Sequence, residues 1–477
     1  MRPFSTLRTL VGQKGRASKG QLVLIVIALT ACVNVFQGAF QFDDVHTLFE
    51  NPHLDRWQMF IGHLTHMVRP VLYATFLIDR TLYGESPVGY HLLNLLLHLG
   101  SGLLLYRILT RVVTQDALSI PFWASLLFLV HPIQTETVTY ISGRASGLMS
   151  FFYLLGLFFY IKASEVQNIS VPYRLYLSGA IASFVLSLGS KETAMTFPIV
   201  LFLWDTVIHR LSGRSLCTSI LSRHLPFWIV LLLAGVWAWS HPRYFALMHF
   251  SFNSRPLWDN VLSQVHVASY SIQLFFSPWD QNFDHDLPEF HSIVQWPLPL
   301  DLLLLGGLAA TALVTVRRLP LQSFGIVWFF IQWLPTAVIP RADLLSERNL
   351  YLASIGFILA TVVFSVRLTE WLREVSPVHR IVRSASYALA VVIVIALSVF
   401  TYQRNMLYRD QLSLWSDTVA KSPQKARPHN NLGHAYALQG DWDRAIDEFR
   451  IAAQLDPDYT IAKKNLRDAY LHVVGRD

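Results

Sequence analysis

Charged residues are scarce in this sequence. Only 14% of the 477 residues are Asp, Glu, Lys or Arg, while 53% are hydrophobic. That balance excludes an ordinary soluble enzyme of this length, because the apolar residues come in runs of about 20, the length that spans a bilayer. The net charge of +7 does not indicate a nucleic-acid partner, since the basic residues form short clusters between the apolar runs, where orientation signals of membrane proteins occur.

Cysteine is nearly absent. Cys32 and Cys217 are the two cysteines of the chain, and they lie on different apolar segments. Two such thiols form neither a disulfide framework nor a metal site. The sequence therefore predicts an all-α, polytopic membrane protein.

The apolar runs predict about eleven transmembrane helices in a membrane domain over residues 21–401. The basic N-terminus, residues 1–20, contains five Lys or Arg residues and no acid, which places it in the cytoplasm. The following loop, 43–87, is then outside, and its six acids against three arginines agree with that side. The spans are predicted at 21–42, 88–106, 120–137, 143–162, 174–190, 194–209, 225–241, 298–316, 321–339, 349–366 and 385–401.

Segment 261–277 leaves two topologies open, because it is apolar but rich in Ser, Gln and His. If it crosses the membrane, Arg317, Arg318 and the basic cluster at 367–383 face outward. If it lies in the outer interface or re-enters, both groups face the cytoplasm. Charge bias favours the second alternative, in which 242–297 is a wholly extracytoplasmic loop.

The C-terminal segment, residues 402–477, has a different pattern. Pro423 and Pro457 are 34 residues apart, which is the period of a tetratricopeptide repeat (TPR). Small and large apolar residues occupy the packing positions of such a repeat between these prolines. We therefore predict an extracytoplasmic α-helical TPR domain of one full repeat with partial neighbours, which packs on the membrane domain or on a partner. The packing positions are Leu432, Gly433, Tyr436, Gly440, Ala445, Phe449 and Ala452.

Five polar clusters project to the predicted outer face. Each has a structural interpretation, as an interfacial anchor, a helix-end histidine or an ion pair. Ionisable groups are costly beside apolar spans, however, and several acids and cations on one face indicate a site that handles a lipid-linked phosphate. The clusters are Asp43, Asp44 and His46; His131, Glu136 and Arg144; Lys191 and Glu192; Asp284, His285 and Asp286; and Arg341, Glu347 and Arg348.

These motifs carry a resemblance to a known family. The order FDD, HPIQTETVTYISGRA, KET, SERNLYLASIGF and then TPR sequence is similar to the transmembrane and tetratricopeptide-repeat O-mannosyltransferases, from about Phe40 to the end of the chain. That family has the C-type glycosyltransferase (GT-C) superfold. The motif FDDVH is also similar to the Asp-Glu motif in the first outer loop of protein O-mannosyltransferases, with Asp44 at the position of the Glu.

The resemblance implies an inverting transfer of a sugar from a polyprenyl-phosphate donor to a hydroxyl acceptor, a protein Ser or Thr, on the extracytoplasmic face. Asp43 is then the base that takes the hydroxyl proton, with Asp44 beside it as a second catalytic candidate. The candidates for binding the donor phosphate are Arg144, Lys191 and Arg348. The candidates for binding sugar or acceptor are His46, His131, Glu136, Glu192, Asp284, Asp286 and Glu347.

No metal or other cofactor is required by this chemistry, although the paired acids leave a divalent ion open. The sugar is open too, with mannose as the family's precedent. Rival functions are an oligosaccharyltransferase or glycolipid-modifying transferase of the same superfold, a transporter, and a non-catalytic TPR scaffold that recruits partners. The short loops and short repeat tail favour a bacterial inner membrane over the endoplasmic reticulum.

Overall fold

The structure, a computed structural model, describes residues 4–113, 119–166, 170–376 and 378–474. Over these ranges the chain forms α-helices joined by short 3₁₀ and π turns, without β-strands. The helices up to residue 407 are α1 Phe4–Ala31, α2 Asp43–Leu48, α3 Trp57–His63, α4 Pro70–Tyr83, α5 Pro87–Val112, α6 Ser119–Val130, α7 Thr135–Val138, α8 Arg144–Ser164, α9 Val171–Leu188, α10 Phe197–Leu203, α11 Gly213–Ser219, α12 Leu225–Ser240, α13 Pro242–Ser254, α14 Leu257–Phe276, α15 Leu298–Thr315, α16 Pro320–Val338, α17 Leu350–Val375 and α18 His379–Leu407.

Nine helical stretches in the described ranges are long and apolar enough to cross a membrane. The other two predicted spans are helical but shorter: α6, and α10 with the π turn Trp204–Ile208 that extends it. The predicted all-α, polytopic class is therefore confirmed. The first span ends earlier than predicted, since its helical stretch stops at Gln37. The nine are Ser18–Gln37, Pro87–Val112, Ile141–Ser164, Val171–Leu188, Gly213–Ser240, Leu298–Thr315, Pro320–Val338, Glu347–Val375 and His379–Leu407.

Helix α14 has both of its ends at the same end of the bundle. At its start, the Asn260 side chain donates to the carbonyls of Thr336 and Ala337, where α16 finishes. At its finish, the carbonyl of Phe275 lies 2.9 Å from Nε2 of His131, the residue directly after α6. Helix α14 therefore lies across that end instead of traversing the bundle, as the second of the two topologies requires.

Close helix packing forms the centre of the membrane domain. Helices α16 and α17 cross at Gly325 and Gly356, where a Cβ on Gly325 would stand 2.7 Å from the Gly356 carbonyl oxygen. Beside this crossing, the Trp328 indole N–H donates to the carbonyl of Leu352 at 2.8 Å. Small residues let helix backbones approach closely, which favours association in lipid.

Four helices follow the last membrane-capable helix. The 34-residue spacing corresponds to the antiparallel pair α20 and α21, in which the Phe449 ring fills the space left by the missing side chain of Gly433. Trp415 is buried in α19, one repeat length before Phe449. The predicted TPR domain is thus confirmed as helical repeats. The helices are α19 Gln411–Lys421, α20 Ala426–Leu438, α21 Trp442–Leu455 and α22 Thr460–Val474.

Candidate functional site

The sequence-predicted polar clusters meet at one end of the bundle, the end that carries α14 and the TPR helices. Asp44 Oδ1 accepts from the Ser142 amide at 2.8 Å, although 98 residues separate the two. Lys191 Nζ donates to Asn349 Oδ1 at 2.7 Å. The five polar clusters therefore lie on one surface of the protein, which we call the polar face.

The two adjacent aspartates occupy different environments. Asp44 is fully buried, and its carboxylate accepts from the Gln41 amide and from both the amide and hydroxyl of Ser142. Burial raises the pKa of Asp44 to about 7, and those three donors oppose the shift only in part. Asp43 is half-buried, and within the described chain its carboxylate has no hydrogen bond or ion pair. Asp43 is thus the free carboxylate of the pair.

Tyr140 lies directly beside Asp43, and Arg348 lies against the ring of Tyr140. The Asp43 amide donates to the Tyr140 hydroxyl at 3.2 Å, and the Arg348 guanidinium carbon lies 5.5 Å from the centre of the Tyr140 ring. Burial and the negative charges of Asp44 and Asp43 raise the pKa of Tyr140 well above its ordinary value, which keeps the hydroxyl protonated. A free acid, a neutral hydroxyl and a cation therefore share this part of the polar face.

Glu136 positions Arg348. One carboxylate oxygen of the buried Glu136 lies 3.1 Å from the Arg348 guanidinium, and the other accepts from the Arg348 amide at 2.9 Å. The Arg348 side chain keeps 27% of its surface exposed. Glu136 is therefore a partner of this arginine, while part of the guanidinium still faces solvent.

Lys191 is a second cation of the polar face, but it is almost fully buried. Its ammonium donates to Ser146 and Asn349, both at 2.7 Å. Burial, followed by the nearby positive charges of Arg341, Arg69 and Arg348, lowers the pKa of Lys191 well below its ordinary range. A bound anion would oppose this effect and raise the pKa of Lys191 again.

Glu192 lies between two arginines. Its carboxylate takes a forked contact from Arg69, with distances of 2.9 to 3.1 Å, and one from Arg341 at 3.0 Å. Burial alone would raise the pKa of Glu192, yet the two guanidinium groups lower it below its ordinary value. All three side chains keep about a third of their surface exposed. Glu192 therefore holds two cations at the polar face.

Arg144 is too buried to reach a phosphate group from outside the protein. It is completely buried, with its guanidinium 2.6 Å from Asp79 and in hydrogen bonds to Asn94, Thr75 and the Tyr90 carbonyl. The sequence-based role in phosphate binding stays a prediction. The geometry makes this arginine an internal link between α4, α5 and α8.

The two predicted histidines differ from each other. His131 is buried, stacks on Phe275 at 4.4 Å and accepts from the Ile133 amide through Nδ1. His46 is exposed, and its imidazole contacts Glu50, two residues after the end of α2. His131 therefore joins α6 to α14, and His46 stands on the solvent side of the helix that carries Asp43.

The predicted acids of segment 281–286 and of the turn before α17 lie in three settings. Asp284 is paired with Lys425 at 2.6 Å and with Arg427 at 2.5 to 2.7 Å, so it binds the TPR domain. Glu347 is buried and accepts from the side chain of Gln281 and the amide of Asn282, with His285 Nε2 3.0 Å away. Asp286 is exposed, and its side chain makes no hydrogen bond or ion pair with the residues that the structure describes. The structure thus brings Glu347 to the polar face and directs Asp284 to the TPR helices.

Two residues of the site were not selected from the sequence. Tyr140 stands inside the motif HPIQTETVTYISGRA, where an aromatic residue is indistinguishable from a packing residue until the fold brings Asp43 to its hydroxyl. Arg69 directly precedes α4 and reaches Glu192, 123 residues further along the chain. Spacing along the sequence gives no signal for such a pair.

A cavity extends from the polar face between α14, α16 and α17. Its polar lining includes Lys191 and Arg348, and its apolar lining includes Phe329, Trp333 and Leu352. A group of three or more His, Cys, Asp or Glu residues suited to a metal does not occur among the described residues. A cavity lined by two cations and by apolar side chains suits an amphiphile with an anionic head.

The fold and the site define a helical membrane protein with a polar face of paired charges and a C-terminal TPR domain. The family model of the tetratricopeptide repeat matches residues 426–459. No solved structure matches the chain.

Similarity to curated proteins covers most of the chain and confirms the resemblance seen in the motifs. A protein O-mannosyl-transferase of Caenorhabditis elegans is 26% identical over 94% of this chain and 64% of its own length. Protein O-mannosyl-transferase Tmtc3 of Drosophila melanogaster is 26% identical over 92% and 55%, and TMTC1 of Homo sapiens is 24% identical over 95% and 57%. The chain thus spans between about half and two thirds of the length of these relatives.

Proposed function

We propose that this protein is an integral-membrane glycosyltransferase that moves a sugar from a polyprenyl-phosphate donor to a serine or threonine hydroxyl of a protein. The observation that carries the proposal is the free carboxylate of Asp43 beside Tyr140 and Arg348. The relatives are named protein O-mannosyl-transferases, which supports mannose as the sugar.

Asp43 is the general base. Its carboxylate takes the proton of the acceptor hydroxyl as the hydroxyl oxygen forms a bond to the anomeric carbon of the sugar. On the opposite side, the bond from that carbon to the phosphate oxygen breaks, and the polyprenyl phosphate leaves with the electron pair. The configuration at the anomeric carbon is inverted. Asp44, which is buried and hydrogen-bonded to Ser142, holds the start of α2 in place.

Arg348 and Lys191 stabilise the phosphate. Negative charge grows on the leaving oxygen, and fixed cations in a site of low dielectric favour that change. The guanidinium of Arg348 suits forked contact with two phosphate oxygens. The polyprenyl chain lies along the apolar walls of the cavity, near Trp333. Side-chain cations are sufficient for a monophosphate leaving group, so no divalent metal is part of the proposal.

The polar face is extracytoplasmic in this proposal. The charge bias of the loops supports that side, because Arg317 and Arg318 lie between α15 and α16 at the opposite end of the bundle. The TPR domain then stands where a secreted acceptor passes. A bacterial inner membrane is the proposed location, in preference to the endoplasmic reticulum.

Transfer by the purified protein tests the proposal. The protein in detergent is given a radiolabelled mannosyl-phosphopolyprenol and a peptide rich in Ser and Thr, and labelled peptide is counted. We expect the wild type to transfer label and Asp43→Asn to lose at least about a hundredfold in kcat. Glu85→Gln, an exposed acid of the same loop, is the matched control and keeps wild-type turnover.

The results for Asp43→Asn test the base, and the results for the wild type distinguish the rival functions. Full activity in this folded variant would remove Asp43 as the base. Transfer to a lipid acceptor but not to peptide would favour a glycolipid-modifying enzyme of the same superfold. Absence of transfer by the wild type from mannosyl, glucosyl and galactosyl donors to either acceptor would favour a non-catalytic scaffold.

A further inference from the structure

Phe42 adopts a backbone conformation that side chains rarely occupy. Its φ is 42° and its ψ is −107°, in the region that favours glycine. Such a conformation is unfavourable for a non-glycine residue and persists only where surrounding contacts hold it. Phe42 directly precedes α2, so its backbone sets the direction in which Asp43 leaves the loop.

Two of the contacts that surround the Phe42 ring come from the TPR domain. The ring of Trp415 in α19 lies 5.5 Å from the Phe42 ring, and the guanidinium carbon of Arg427 in α20 lies 5.8 Å from it. Phe283 approaches from the outer loop at 6.0 Å and itself contacts Trp415 at 5.4 Å. The start of α2 is therefore packed directly against the repeat helices.

A second connection leads from the same helices to the other side of the site. Arg427 Nε lies 2.7 Å from Asp284, and the Asn282 side chain donates to the Ser422 hydroxyl at 2.7 Å. The Asn282 amide in turn donates to Glu347 at 2.6 Å. Glu347 is the residue before Arg348. The TPR domain is therefore connected to the residues that directly precede Asp43 and Arg348.

We propose that the first TPR helices are part of the catalytic unit, with Trp415 and Arg427 as positioning residues that hold Asp43 and Arg348 in register. This inference rests on the proposed function, but it differs from a TPR domain that only captures acceptor protein. A capture domain affects the binding of a long acceptor. A positioning contact changes the chemical step for every acceptor, including one too short to reach the repeats.

The kinetic test uses the full-length protein and a Ser-containing tripeptide as acceptor. Trp415→Ala is expected to lower kcat at least about tenfold with the acceptor KM unchanged, because small displacements of catalytic groups are costly. The separate variant Trp415→Phe, which keeps an aromatic ring, is expected to retain most of the wild-type kcat. Trp442→Ala, a tryptophan of α21 that stacks on His472 away from the polar face, leaves kcat unchanged. Unchanged kcat in Trp415→Ala, or a rise in KM alone, would overturn the inference.

A labelling experiment separates this inference from the proposed function, since it needs no turnover. A cysteine replaces the exposed Val45 in α2, in a background with Cys217→Ser that keeps only the buried Cys32, and the rate of maleimide labelling at position 45 is measured. Adding Trp415→Ala is expected to raise that rate several-fold, and adding Trp442→Ala is not. Arg427→Gln replaces Trp415→Ala if the latter does not fold. Equal rates in all variants would show that the repeats do not hold this helix.

Discussion

The backbone N–H of Asp43 donates to the hydroxyl of Tyr140 at 3.2 Å. That bond ties the proposed base to the segment between α7 and α8, and the Tyr140 ring in turn lies against the guanidinium of Arg348. One tyrosine thus contacts the two residues that we propose to act on opposite sides of the anomeric carbon.

Tyr140→Phe removes the acceptor of this hydrogen bond and keeps the ring. We expect kcat to fall about fivefold, the equivalent of a net hydrogen bond of about 1 kcal/mol, while the melting temperature changes little. Tyr83→Phe, whose ring is partly exposed at the end of α4, is the matched control. Equal kcat in Tyr140→Phe and wild type would mean that the hydroxyl does not position Asp43.

Arg348→Lys keeps the positive charge beside Glu136 and removes the guanidinium group that could contact two phosphate oxygens at once. Because a lysine makes one contact where arginine makes two, kcat/KM for the donor is expected to fall about 10- to 100-fold. The measurement is initial rate against donor concentration. Arg243→Lys, on the exposed first turn of α13, is the control. Wild-type kcat/KM in Arg348→Lys would contradict a forked phosphate contact.

Asp79→Ala leaves the fully buried guanidinium of Arg144 without its counter-charge. Breaking a buried pair in this way is expected to lower the free energy of unfolding by about 3–5 kcal/mol. Asp55→Ala, which breaks the more exposed pair with Arg80, is expected to cost about 1 kcal/mol or less. Denaturant titration of helicity measures both. Similar costs for the two would contradict the internal role of Arg144.

The stability contributed by Asp44 depends on pH. Its pKa rises from an ordinary value of 3.8 to about 7 in the fold because of burial. The folded protein therefore binds a proton more tightly than the unfolded chain, and the stabilisation is present in full below about pH 4 and lost as the pH rises through 7. The melting temperature of the wild type relative to Asp44→Asn is expected to be higher at pH 5 than at pH 8. A difference that is constant or grows with pH would contradict this sign.

The two ends of the bundle are expected to differ in accessibility from outside the cell. Lys464→Cys, exposed on α22, is expected to react with an impermeant maleimide added to spheroplasts. The exposed native Cys217 lies at the opposite end, where Arg210 donates to the Arg317 carbonyl, and is expected to react only after permeabilisation. The reverse pattern would place the polar face in the cytoplasm, where the proposed acceptor is absent.

Local sequence determined the membrane helices, the repeat domain and the motifs that gather at the polar face. Apolar runs and the 34-residue period are properties of neighbouring residues, so they are visible before folding. Only the tertiary structure decided which charges are free. Asp43 and Asp44 are the same amino acid side by side, yet Asp44 is buried against Ser142, while the carboxylate of Asp43 has no hydrogen-bond partner among the residues that the structure describes. Charge pairing depends on loops that lie far apart along the chain, and their approach is set by helix packing, which no local pattern records.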